Sequence, residues 1–332
     1  MESRIFKVAV KCFTYNHSQY IEKAMDGFCM QQTSFPYVCC IVDDGSTDGE
    51  PSILSKYVDS HFDTQNGSVV RKEETADYYM TFAQHKSNPN CFFAVYLLKY
   101  NHGSIHKPKK YYLAEWMKDC YIAMNEGDDF WTDPLKLQKQ ADALDMHPEV
   151  DICACAASMQ KNGKEVLRIS PENHETVIPV EKVILGGGRF VATNSVMYRS
   201  SILEDPDNAI NLMGLDYFMQ IGGSQRGGMY FLPDCMAVYR VGDDGSWTRR
   251  MRKDPVKYFN HLLRMDTAFA AFDKNTKYQY KDIVSQLKTK RVIRLFRTGL
   301  EGDLLKEQLK EMSFMGRMHF VYTFLVRVLF LR

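Results

Sequence analysis

Residues 37–42, Tyr-Val-Cys-Cys-Ile-Val, are apolar without a break, and the run ends abruptly at Asp43-Asp44-Gly45. A strand with one wet face alternates apolar and polar residues, whereas a strand covered on both faces reads as a continuous apolar run. The chain must therefore build a sheet with a layer on each side. The flanking segments agree. Residues 6–13 read as a first strand, and 18–31 carry helical spacing, with Tyr20, Ile21, Ala24 and Phe28 on one face. Ser18 is the expected N-cap, and Pro51 stands near the start of a second helix. Strand, helix, strand, acidic loop and helix in that order predict a parallel α/β sheet.

The same grammar continues, with interruptions. Residues 50–90 are polar and less regular; 91–98 read as a third strand, 111–119 as helical, and 120–124 as a short strand ending at Asn125-Glu126-Gly127-Asp128-Asp129. Pro134 opens a helix over 135–146, 150–157 is another strand, and Asn162-Gly163 marks a hairpin. Three glycines at 186–188 precede a strand over 190–198. Beyond about 250 the strand pattern stops and helices are expected. A chain of 332 residues is too long for one small core. It divides into an α/β domain over 1–250 and a helical region over 251–332.

Charge and cysteine content exclude some roles. A net charge of +1 gives no global field to recruit nucleic acid. The nine cysteines lie mostly in apolar runs and no secretory signal precedes them, so they are read as reduced, buried residues of a cytoplasmic protein. Cys153 and Cys155 lack a second pair at zinc spacing. Residues 314–332 are strongly apolar with Arg317, His319, Arg327 and Arg332 interspersed. Their longest uncharged run is far below the ~20 residues of a spanning helix. The pattern fits both a peripheral helix at the inner face of a cytoplasmic membrane and a helix packed on its own domain or in a homodimer.

Two acidic clusters stand where strands end: Asp43-Asp44 and Glu126-Gly127-Asp128-Asp129. Ligands of open α/β sheets bind at the carboxyl ends of strands. Adjacent carboxylates repel, and a hard divalent cation such as Mn²⁺ or Mg²⁺ relieves that repulsion while bridging to phosphate oxygens. Small Gly45 and Gly127 let the backbone approach a ligand. A nucleotide diphosphate fits this arrangement. The competing reading, two capped turns, explains either cluster alone but not both after apolar strands.

These blocks resemble the family 2 glycosyltransferases of GT-A fold. The likeness is carried by Tyr15-Asn16, Gln31-Gln32, residues 40–48 (Cys-Ile-Val-Asp-Asp-Gly-Ser-Thr-Asp) and residues 121–140, and it extends over roughly 5–240. The second block is similar to the subgroup that builds bacterial capsules and O-antigens. The resemblance implies a Rossmann-related, mostly parallel mixed sheet flanked by helices, with a helical extension. It implies a nucleotide-binding part over about 1–130 and an acceptor-binding part over about 131–250.

It also assigns roles. Asp44 would read the uracil or ribose of a UDP-sugar, in a pocket with Thr14, Tyr15, Asn16 and Asp43. Asp128 and Asp129 would occupy the metal motif, Asp128 also touching the nucleotide, with Glu126 where the first aspartate often stands. Lys107, Lys109, Lys110 and Lys118 are candidates for the basic residue ahead of that motif. Asp216, at an expected helix start, would be the general base that takes the acceptor hydroxyl's proton in an inverting transfer. A plain N-cap is the competing role. Arg189 and Thr193-Asn194-Ser195 would border the acceptor cleft. Arg249 and Arg250 would neutralise the leaving diphosphate and Trp247 would stack on a sugar, from a loop spanning 239–250. Trp131 reads as core beside the metal loop. The expected acceptor is a glycan or lipid-linked saccharide.

Three other readings compete with this one. A sugar-nucleotide-binding protein without catalysis would not need Asp216. A nucleotidyltransferase is disfavoured because no glycine-rich loop follows the first strand, and a dinucleotide-binding dehydrogenase because no G-x-G-x-x-G does.

Overall fold

The computed structural model describes residues 6–65, 70–103, 109–241 and 255–297, together with 317–318 and 321–322. Four parallel strands form the centre: β1 (Val8–Thr14), β2 (Tyr37–Asp43), β6 (Cys91–Leu98) and β7 (Tyr121–Glu126). The sheet order is β11-β13-β9-β12-β7-β1-β2-β6-β5-β3. Every residue of β2 is buried, as its unbroken apolar run requires. Helix α1 (Ile21–Cys29) and α2 (Glu50–His61) connect the first strands. Two apolar layers result, one on each face of the sheet.

On one side the sheet is extended by β5 (Tyr78–His85), antiparallel to β6, and by β3 (Phe62–Asp63) and β4 (Arg71–Glu74), each paired antiparallel with β5. On the other, β8 (Phe130–Trp131) and α3 (Lys136–Met146) lead to β9 (Ile152–Lys161). The hairpin to β10 (Lys164–Ile169) turns at Asn162 and Gly163, with φ of 51° and 75°, as the sequence predicts. Then follow β11 (Thr176–Ile178), α4 (Val180–Gly186), β12 (Val196–Arg199), α5 (Ala209–Leu212), α6 (Asp216–Ser224) and β13 (Met229–Arg240). α7 (Pro255–Asn275) and α8 (Lys281–Arg297) supply the expected C-terminal helices. Phe269 of α7 packs on Phe218 of α6, ring centroids 5.0 Å apart. The segment where 1–250 was divided from 251–332 lies outside the described residues.

Some local expectations change. α1 starts at Ile21 with Tyr20, not Ser18, at its N-cap position and no side-chain cap, because the Tyr20 and Ile21 amides turn back to the His17 carbonyl at 2.8 and 3.0 Å. The expected helix over 111–119 is a 3-10 helix at Lys109–Leu113 followed by a turn, and Trp116 in that turn stacks on Phe82 at 4.9 Å. The strand expected over 190–198 is confined to β12, with a 3-10 turn at Thr193–Ser195 before it. The polar stretch after residue 50 is regular: α2 and the three short antiparallel strands. Of residues 314–332, only Arg317, Met318, Val321 and Tyr322 are described, so the membrane or dimer contact assigned there cannot be placed. Among the described residues, no helix is long and apolar enough to cross a membrane. All nine cysteines are free, and only Cys235 is exposed.

Lys136 is fully buried in α3. Its Nζ donates to Gln140 Oε1 at 2.7 Å and sits 4.2 Å from the centre of the Trp131 ring. Burial pushes its ammonium down to about 8, against about 10.4 for an unfolded lysine. Between those values the unfolded chain keeps a proton that the folded chain has shed. This group's contribution to stability therefore rises from pH ~8 to ~10.4, by about 3 kcal/mol in full, and is lost as pH falls back. Lys136→Met, close in volume, should compare best with the parent at pH 7 and lose that advantage toward pH 10. Thermal melts at pH 7, 8.5 and 10 check this; a constant Tm gap would refute it.

Candidate nucleotide and metal site

The parallel register brings the strand ends level. Thr14 pairs with Asp43, Phe13 with Glu126, and Asp43 with Leu97. The loop after β1, the acidic pair after β2, the turn after β6 and the acidic loop after β7 thus open on one edge, where open α/β sheets bind ligands.

On the β2 side, Asp44 is buried and well supplied with donors. Its Oδ1 accepts from the His102 amide at 2.7 Å, and its Oδ2 from the Gly103 amide at 3.2 Å and Lys109 Nζ at 2.8 Å. Lys109 is therefore the lysine of the sequence set that reaches this edge; Lys118 is exposed, Lys107 lies outside the described residues, and so does the Lys110 side chain. Asp43 is also buried. Its Oδ2 accepts from the Ser46 amide at 3.2 Å, its Oδ1 accepts no hydrogen bond among the described residues, and burial pushes the carboxyl up to about 6.

Glu50 organises the loops and was not singled out from sequence. It is buried at the start of α2, where it accepts from Thr14 Oγ1, from the His17 amide at 2.8 Å and from Ser46 Oγ at 2.9 Å. Asn16 adopts φ of 57°; its amide donates to Ser46 Oγ at 2.8 Å and its Oδ1 accepts from the Thr47 amide at 2.8 Å. Thr14 and Asn16 are thus framework for the pocket edge, while Tyr15 leaves its ring 42% exposed.

On the β7 side, Glu126, Asp128 and Asp129 each offer a carboxylate oxygen, and these lie within 4.8 Å of one another. Asp129 is fully buried. Its Oδ1 accepts from the Arg240 amide at 2.8 Å, and its Oδ2 accepts no hydrogen bond among the described residues. Burial, then the charge of Asp128, pushes its carboxyl well above the usual range. Glu126 keeps solvent contact, yet the protein packed round it, then Asp216 and Asp128, push its carboxyl upward against the pull of Lys11 and Lys109. A buried carboxylate oxygen without a donor is costly. Three clustered carboxylates with one such oxygen fit a hard divalent cation with oxygen ligands, such as Mn²⁺ or Mg²⁺.

Arg240, at the end of β13, is the other residue that sequence reading passed over. Its guanidinium donates to the Asp128 carbonyl and lies over the rings of Phe130 and Tyr20, at 4.5 and 4.8 Å. The loop it begins was recognised, but the weight was placed on Arg249 and Arg250, which lie outside the described residues with Trp247.

Asp216 is the first residue of α6, and Leu215 before it makes no side-chain cap. Its Oδ2 accepts from Thr193 Oγ1 at 2.7 Å. The turn carrying Thr193 is clamped from below: Trp131 Nε1 donates to the Asn194 carbonyl and Gln140 Nε2 to the Ser195 carbonyl, both at 2.8 Å. Asn194 Nδ2 donates inward to the Val238 carbonyl at 2.7 Å and Ser195 Oγ to the Ala192 carbonyl at 2.6 Å, so these two residues build the turn. Trp131 is core, 2% exposed, as expected.

The model of the family described as glycosyl transferase family 2 matches residues 12–78. The chain carries a family 2 glycosyltransferase segment. That segment runs from within β1 to the start of β5 and holds Thr14, Asn16, Asp43, Asp44 and Glu50. Uncharacterized proteins of Mycobacterium tuberculosis (strain H37Rv) and Mycobacterium bovis are each 31% identical over 241 residues, 72% of this chain. The matched region spans 60% of the length of these curated relatives. Among solved structures, that of S. aureus TarS is similar in fold, with a TM-score of 0.50 and 18% identity over 96% of this chain and 52% of that one. The family 2 segment thus sits within an α/β fold that continues through the acidic loop after β7.

Proposed function

We propose that this chain is an inverting, metal-dependent glycosyltransferase. It moves a sugar from a UDP-sugar to a hydroxyl of a glycan or lipid-linked acceptor in surface-polysaccharide synthesis. The observation that carries the reading is the carboxylate set Glu126, Asp128 and Asp129 on the sheet edge it shares with Asp44, with Asp216 close enough to raise Glu126. Asp44 and Tyr15 face the nucleoside. Asp128 and Asp129 hold the cation, and Arg240 fixes their loop. A cation there supplies positive charge against the diphosphate. Asp216, oriented by Thr193, accepts the proton of the attacking hydroxyl. Lys109 and Lys11 add positive charge on the Glu126 side.

Calorimetry of the full chain against UDP, with and without Mn²⁺, tests this. Binding should require the metal and weaken at least ~10-fold in Asp128→Ala, the scale expected when a charged contact worth ~1.4 kcal/mol or more is lost. Equal binding with and without Mn²⁺, or an unaffected variant, would defeat the reading.

A further inference from the structure

Lysines are almost never fully buried without a paired charge. Lys136 is fully buried and forms no ion pair among the described residues; Asp133, earlier in the same loop, is held by Lys139 at 2.9 Å. Lys136 instead touches both side chains that clamp the 193–195 turn. Its Nζ faces the Trp131 ring and donates to Gln140 Oε1. Trp131 and Gln140 donate in turn to consecutive carbonyls, those of Asn194 and Ser195, and Gln140 Nε2 also reaches the Cys153 carbonyl of β9 at 3.3 Å. An ammonium donates and accepts nothing, so it takes the amide oxygen of Gln140 and leaves the amino group for the two carbonyls. Thr193, on the same turn, is the donor to Asp216 Oδ2. Lys136, Gln140, Trp131 and residues 193–195 are all buried, so a continuous buried chain of contacts runs from Lys136 to the candidate base. An apolar residue at position 136 would avoid the cost of burying a charge. A polar group kept where it costs stability is expected where function requires it.

We propose that Lys136 is a positioning residue: through Gln140 and Trp131 it locks the 193–195 turn, and through Thr193 it aims the Asp216 carboxylate at the attacking hydroxyl. The aim at a hydroxyl rests on the glycosyltransferase reading; the lock on the turn does not. Lys136→Met in the full chain tests both parts. The amides of Ser195 and Val196 close the turn on the Ala192 and Thr193 carbonyls, and their hydrogen exchange should speed at least ~10-fold in the variant as the turn loosens. UDP release from UDP-glucose, UDP-galactose and UDP-N-acetylglucosamine would be followed with Mn²⁺ and water as acceptor. In that hydrolysis the water oxygen bonds to the anomeric carbon, the bond from that carbon to the diphosphate breaks, UDP leaves and Asp216 takes the water's proton. Lys136→Met should lower kcat at least ~10-fold, the scale of a misplaced catalytic group, with KM and Mn²⁺-dependent UDP binding within about two-fold of the parent. Added to Asp216→Asn it should cost nothing further, because residues that act through one group are not additive. Unchanged exchange at the turn, a kcat loss that adds in full to that of Asp216→Asn, or a parallel loss of UDP binding would overturn the proposal. Should Lys136→Met not fold by circular dichroism, Gln140→Met, which cuts the same chain one step nearer the turn, replaces it with the same expectations. A parent that neither binds UDP nor releases it from any donor would remove the glycosyltransferase reading, while faster exchange in the variant would still uphold the lock.

Discussion

Asp216→Asn should lower sugar transfer by about 10²–10⁴-fold, the usual contribution of a positioned general base, while leaving Mn²⁺-dependent UDP binding and Tm near those of the parent. Asparagine keeps the shape and can still accept from Thr193 Oγ1, so α6 and the 193–195 turn lose nothing they need. What disappears is a carboxylate able to hold a proton. The same change removes the strongest charged neighbour that raises Glu126, so the Glu126 carboxyl should fall toward its ordinary range. Transfer assays at saturating donor, with melts and UDP calorimetry on the same preparations, check the set. Undiminished transfer would remove Asp216 from the chemistry and leave it a structural residue of the turn.

Gly127→Ala should cost both stability and nucleotide binding. A Cβ at that position would lie 2.0 Å from Thr14 Oγ1 and 2.5 Å from Thr14 Cβ. Thr14 is buried and its hydroxyl donates to Glu50, which also holds His17 and Ser46, so it has nowhere to turn. Overpacking of this kind costs about 1–3 kcal/mol. The strain would fall on the contact between the β1 loop and the acidic loop, so UDP binding should be lost along with stability. By comparison, Gly163→Ala meets nothing within 4 Å and bears only the strain of its φ of 75°. Urea denaturation of both variants, with UDP calorimetry, separates the cases. Equal stability and retained binding in Gly127→Ala would mean that the two loops are not braced against each other.

Much of the site was legible because its groups sit at strand ends, and strand ends are visible as apolar runs breaking into polar ones. Residues 37–44 and 121–129 gave both the sheet and the two acidic clusters by that signal. Asp216 was legible as a helix start, though only the structure shows that its carboxylate serves Thr193 and does not cap α6. Glu50 was invisible because a glutamate in the first turn of a helix is ordinarily a solvated residue near the positive end of the dipole; its burial depends on residues 33 to 36 positions earlier in the chain. Arg240 was hidden for a related reason, since its partners lie in the acidic loop over a hundred residues away. The helix expected over 111–119 shrinks to a 3-10 helix at Lys109–Leu113, and Trp116 beyond it packs against Phe82 of the sheet. Lys136 and Gln140 are polar positions of the helix, yet both are buried, one under Trp131 and the other beneath the Thr193 turn.

The carboxylate of Asp44 already receives two amides and an ammonium. A nucleoside that comes to it therefore enters an exchange: its own donors replace some of those three, and the displaced amides and Lys109 turn to other acceptors. The heat released at Asp44 should accordingly be small, and the discrimination between bases should come less from how strongly Asp44 attracts a ring N–H than from how well each base lets the residues 101–103 resettle.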